Sequence, residues 1–166
     1  PDGHTKLLLH SDTTDGSTTF VDSSGRAHGI TPSGDVQHST TEQKFGSSAM
    51  LFDGTGDMLT IEANCDFDFG VADVTIDLWV RTSQTHNEAS GGARILSRHA
   101  DSGNYQWYLR SHTTANDYFF ANIGGSAFQL SSSPEKVSGL GWKHVAVVRQ
   151  GKKLELFIDG VSVDSH

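Results

Sequence analysis

The stretch from Trp142 to Asp164, WKHVAVVRQGKKLELFIDGVSVD, leaves little room for anything but antiparallel β-structure. Val145-Ala146-Val147-Val148 runs apolar without a break, so Trp142 to Arg149 is expected to be a strand covered on both faces, inside a sheet. Gly151, beside Lys152 and Lys153, lets the chain reverse because glycine reaches positive φ without a Cβ clash. Leu154, Leu156 and Ile158 then alternate with Glu155 and Phe157, which gives a second strand one apolar face. Asp159-Gly160 is a favoured type I′ pair, and Val161-Ser162-Val163 opens the return strand.

Similar short strands fill much of the remaining chain. Val74 to Arg81 is the clearest, with Val74, Ile76, Leu78 and Val80 on one face and Thr75, Asp77, Trp79 and Arg81 on the other. Arg94 to Arg98 and Tyr105 to Arg110 form an expected pair joined through Ala100 to Asn104, and Tyr118 to Ile123 pairs with Ser126 to Leu130 over Gly124-Gly125. Leu7 to His10 and Thr18 to Val21 read as short strands, and Asp22 to Gly25 as a turn. Ala49 to Phe52 and Met58 to Ile61 are expected to close a hairpin over the Gly-rich turn Asp53 to Asp57. Thr82 to Gly92 is a long polar loop expected at a rim, and nothing predicts a helix. With 166 residues and no internal repeat or linker, the chain is read as one domain with a real core. The fold class expected is all-β, an antiparallel two-sheet sandwich or jelly roll.

Charge narrows the partners. Twelve basic against 20 acidic residues leave a net charge of −8, and no Lys/Arg cluster is present. Such a chain is a poor ligand for phosphate backbones or anionic membranes, and no apolar run approaches the roughly 20 residues of a spanning helix. Cys65 is the single cysteine, so no internal disulfide forms, and the redox compartment stays open. The chain opens at Pro1 without a signal-like apolar block.

Seven segments, in this order, resemble the laminin-G-like branch of the concanavalin A-like lectin/glucanase superfamily. They are Leu7-Leu8-Leu9-His10, Val21 to Gly25, Lys44-Phe45-Gly46, Leu51 to Asp57, Phe67 to Gly70, Val74 to Val80 and Trp142 to Val148. This flavour is similar to domains of bacteriophage structural and tail proteins and of bacterial surface proteins. The resemblance implies further strands beyond the Asp159-Gly160 hairpin, the last pairing near the N-terminal strand. The expectation is therefore an N-terminal fragment of a longer chain, or a sandwich completed by another chain or segment.

Glycan-cleaving relatives of that superfamily carry Glu-x-Asp-x-(x)-Glu on one strand, so that a general acid faces a nucleophile. None of Glu42, Glu62, Glu88, Glu135 and Glu155 has an aspartate two residues on, and no Gly-x-Ser-x-Gly elbow occurs. Cys65 sits in Asn64-Cys65-Asp66, an acidic setting that disfavours a thiolate, and reads as packing or incidental. The nine histidines lack zinc spacing, and His144 on a central strand reads as a hydrogen-bonded core histidine. Asp53 and Asp57 are calcium candidates, set against their ordinary service as turn residues; no other cofactor is expected. Trp79 and Trp142 read as sandwich packing.

Sugar recognition uses aromatic faces flanked by polar donors and acceptors, and the densest such set lies between Arg98 and Tyr118. Trp107 shares parity with Tyr105 and Leu109 and reads first as core; Tyr108 and Arg110 fall on the opposite face. The ligand-binding residues expected are His99, Asp101, Asn104, Tyr108, Arg110, His112 and Asn116. The function expected is a non-catalytic carbohydrate-binding or adhesion and assembly module on a phage virion or another extracellular surface. Its partners would be a glycan or neighbouring protein subunits, in a homo-oligomer or larger assembly. The alternatives are a purely structural virion subunit and, from a different class, a glycoside-active enzyme.

Overall fold

A computed structural model describes residues 2–82, 93–101, 104–111, 118–122, 128–132 and 141–166. The chain forms two compact units, Pro1–Asp68 and Phe69–His166.

The second unit is a sandwich of two four-stranded antiparallel sheets. One is ordered β12 (Val161–Ser165), β11 (Lys153–Ile158), β10 (Lys143–Gln150), β5 (Val74–Val80). The other is ordered β6 (Ala93–Asp101), β7 (Asn104–Ser111), β8 (Tyr118–Asn122), β9 (Phe128–Ser131). Alternation does the sorting expected of it. Ile76, Val145, Val147, Leu154, Leu156 and Ile158 of the first sheet meet Trp107, Leu109 and Leu130 of the second in one buried core. Trp107 is therefore core, with Phe69 stacked on its ring at 4.7 Å. The Asp159-Gly160 turn has positive φ at both residues, as a type I′ hairpin requires.

Arg149 has the parity of the buried residues and is itself buried. Its Nε donates to Ala72 O at 2.7 Å, Nη1 to Gly70 O at 2.8 Å and Nη2 to Phe69 O at 2.7 Å, with a further contact from Nη2 to Ala72 O. The guanidinium thus satisfies the carbonyls of the turn that leads into β5.

The first unit holds two two-stranded antiparallel sheets. β1 (Ile30–Ser33) pairs with β4 (Met58–Ile61), and β2 (Gln37–Ser39) pairs with β3 (Ala49–Leu51). The hairpin expected between Ala49–Phe52 and Met58–Ile61 therefore does not form. Asp57 gives the reason: its Oδ1 accepts Asp35 N at 2.9 Å and its Oδ2 accepts Asp53 N at 2.8 Å. This carboxylate ties the Gly-rich 53–57 turn to the turn at Gly34, so each flanking strand finds a partner from the 30–39 segment. Gly34, at φ +77°, must be glycine, since an added Cβ would meet Asp57 and lie 2.9 Å from Gly56 O.

Leu7 to His10 and Thr18 to Val21 are not strands. They are pinned instead by a loop organised on Asp22, a buried carboxylate that accepts Leu8 N at 3.0 Å, Ser24 N at 2.8 Å and His28 N at 2.9 Å. Ser24 Oγ adds a fourth bond at 2.8 Å. Among the described residues one 3₁₀ turn, Cys65–Phe67, is capped by Asn64, and Cys65 is exposed, the incidental rather than the packing reading.

Candidate functional site

Three surfaces and one carboxylate cluster carry the chemistry worth weighing. The first surface lies on the outward face of the β5–β10 pair. Because Ile76, Leu78 and Val80 turn inward, Asp77 and Trp79 turn outward, and Trp79 keeps 36% of its surface exposed. His144 lies opposite Trp79 in the register, with ring centroids 5.2 Å apart. Its Nε2 sits 2.8 Å from Asp77 Oδ2, a diagonal contact across the strands, while the Asp77 side chain remains 58% exposed. A partly exposed indole, a carboxylate and an imidazole thus share one side of the sheet. Beside them Asp159 accepts Lys143 Nζ at 2.8 Å and His144 N at 3.0 Å, and these bonds, Lys143 first, hold its carboxyl below the usual range.

Trp79, expected as packing, does pack on His144 but keeps part of its ring exposed, and His144 is hydrogen-bonded as expected but half-buried rather than core. The alternation that places both outward is plain in the chain. What it does not reveal is which outward residues stay uncovered.

The second surface is the one expected from the Arg98–Tyr118 segment. Tyr108 and Arg110 do come together, with the guanidinium carbon 5.6 Å from the Tyr108 ring centroid. His99, Asp101 and Asn104 lie on the paired strands β6 and β7, with Asp101 opposite Asn104 at the hairpin end and His99 opposite Tyr105. His112 and Asn116 lie outside the described residues.

The third surface is a cleft of about 220 Å³ in the first unit, lined by residues that include Leu9, Ser11, Asp12, Phe20, His38 and Met50. Nothing in the sequence pattern gathers these positions, because loops rather than strands assemble them.

The carboxylate cluster is Asp35, Asp53 and Asp57, whose oxygens lie within 4.8 Å of one another. Asp53 Oδ1 accepts Thr55 N at 2.6 Å, which makes it a turn cap, and both Asp57 oxygens already accept backbone N–H groups. The Asp57 side chain, followed by the charges of Asp53 and Asp57, pushes the Asp35 carboxyl above its ordinary value. Backbone donors, that of Asp53 foremost, hold Asp57 below it. Asp53 and Asp57 thus serve as turn residues here, and a calcium ion would have to compete with those donors for Asp57.

Three comparisons with known proteins bear on this geometry. A family profile described as "Concanavalin A-like lectin/glucanases superfamily" matches residues 53–166. No curated protein sequence matches the chain. Among solved structures, the crystal structure of the binding domain of Paraclostridial Mosquitocidal Protein 1 is similar, with a TM-score of 0.72 and 19% sequence identity. The match covers 96% of this chain and 39% of that one.

Proposed function

This chain belongs to the concanavalin A-like lectin/glucanase superfamily, and from that premise we propose that it is a non-catalytic carbohydrate-binding module. The observation that carries the proposal is Trp79, a large aromatic ring that packs on His144 and keeps 36% of its surface exposed on a sheet face beside an exposed carboxylate. A sugar ring presents a C–H face and a rim of hydroxyls. The indole takes the first, and Asp77, oriented by His144, accepts hydrogen bonds from the second. Tyr108 and Arg110, with His99, Asp101, Asn104, His112 and Asn116, are proposed as a separate contact surface on the other sheet.

The case against glycoside hydrolysis rests on the carboxyls. That chemistry needs two of them facing each other across the substrate, one with a raised pKa. No glutamate of this chain has an aspartate two residues on, which is the spacing those enzymes use. No cofactor is assigned a role, and calcium is proposed to be dispensable for binding.

An extracellular or virion-surface setting suits such a module, and assembly with neighbouring subunits or copies of itself is the second proposal. A glycan array read in calcium and in chelator tests the first proposal. Binding to neutral glycans in both, lost in Trp79→Ala, supports it. A flat array together with a concentration-dependent oligomer would favour assembly instead.

A further inference from the structure

We propose that the Trp79 surface continues across its sheet to Phe157 and takes a linear, neutral oligosaccharide rather than a single sugar ring. The inference rests on the saccharide reading above and adds to it a second aromatic contact and a length. Parity and register carry it. On β11 Leu154, Leu156 and Ile158 are buried, so Glu155 and the half-buried Phe157 turn to the outward face that holds Asp77 and Trp79. On β10, Ala146 pairs with Asp77 on one side and Phe157 on the other, while His144 pairs with Trp79. Trp79 and Phe157 are therefore two strands and two residues apart on one face. At about 4.8 Å per strand and about 3.3 Å per residue, that places their Cα atoms about 12 Å apart. One sugar ring does not reach both at that separation, whereas a run of about three does.

The surroundings of Phe157 keep its ring open. Ala146, its partner on β10, is buried and ends at a methyl group, so no bulky side chain rises beside the ring from that strand. On the other side the ladder shifts register: Leu156 pairs with Asp164 but Phe157 with Ser162, which makes Val163 the extra residue of a bulge. In unbroken register Val163 would stand opposite Phe157, and the two apolar side chains would cover each other. The bulge instead lets Val163 pack against the core and sets a small, exposed serine opposite the ring. Polar groups lie along the same path. Asp77 shares the row of Ala146 and Phe157, and Glu155 is fixed through Oε1 by Lys153 Nζ at 2.8 Å and Ser162 Oγ at 3.2 Å. Lys153, ahead of Ser162, holds the Glu155 carboxyl below its ordinary value, so it stays ionised and can only accept. Ring faces alternating with acceptor carboxylates suit the C–H faces and hydroxyl rims of successive sugars, and two negative charges disfavour an anionic chain.

Length dependence tests this directly. Linear oligosaccharides of glucose, xylose, mannose and N-acetylglucosamine, each from monosaccharide to hexasaccharide, would be titrated into the chain by calorimetry. For the sugar that binds, affinity should rise about tenfold from disaccharide to tetrasaccharide and change little beyond it. Phe157→Ala should lower tetrasaccharide affinity about five- to tenfold and leave disaccharide affinity unchanged. Phe157→Leu, which keeps apolar bulk under the surface but not the flat ring, should do the same, and Phe157→Trp should retain the longer ligand. Trp79→Ala should remove both. Affinity independent of length, or a tetrasaccharide bound equally well by a folded Phe157→Leu, would overturn the extension and leave the Trp79 reading in place. No binding by any member of the series would also overturn it, and the glycan array then decides the Trp79 reading separately.

Discussion

At the scale of single residues, three side chains carry more than their sequence neighbourhood announces. Trp79 reads as sandwich packing, yet on its outward face it keeps 36% of its surface exposed. Only its partners in space decide that, since alternation assigns a face but not what covers it. Arg149 closes the strand expected from Trp142 onward, and its guanidinium bridges three carbonyls of the 69–72 turn, a role no near neighbour in the chain announces. Arg149→Lys keeps the charge and loses the planar fork, so chemical denaturation should show a loss of roughly 1–3 kcal/mol. Asp22 is the third. Burial alone would raise its carboxyl, but the backbone donors of Ser24, His28 and Leu8 outweigh it and hold the group below the ordinary range. A carboxyl depressed in the folded state contributes stability that is fully present above its unfolded value, near pH 4, and is lost as pH falls through the folded value. Asp66, paired with Lys6 at 3.1 Å, acts in the same direction. Acid titration followed by circular dichroism should show stability falling below about pH 4, with a shallower fall in Asp22→Asn.

At the scale of elements, the β10–β12 meander was legible almost to the residue, because an unbroken apolar run, strict alternation and an Asp-Gly turn all agree. The inward parity of Trp107 and Leu109 and the β6–β7 and β8–β9 pairs were legible for the same reason. Truncating that shared core should be costly: Leu156→Ala, fully buried, should lower stability by about 2–5 kcal/mol in urea denaturation. The pairing of Met58–Ile61 with Ile30–Ser33 was not legible. Local turn chemistry at Asp53 to Asp57 favoured a hairpin, and the long-range bond from Asp35 N to Asp57 is invisible to any pattern of near neighbours. The Leu7–His10 segment failed for a related reason, since the Asp22 carboxylate satisfies a backbone group that a ladder would otherwise take.

At the scale of the whole molecule, the family profile spans residues 53–166, and the chain covers 39% of the solved chain that shares its fold. The candidate contact residues were only partly foreseen: Tyr108 and Arg110 meet as expected, whereas the Trp79 surface depends on burial. Net charge bears on the ligand class. At −8 the chain repels polyanions, so neutral glycans should bind with little change between low and high salt, and sulfated ones should not compete. The most direct test is a glycan array probed with the wild-type chain and with Trp79→Ala, both checked for an unchanged β-sheet spectrum. The account predicts that wild type retains at least one neutral glycan and that the variant, lacking the indole, retains none. Equal binding by the two, or no binding by the wild type, would contradict it.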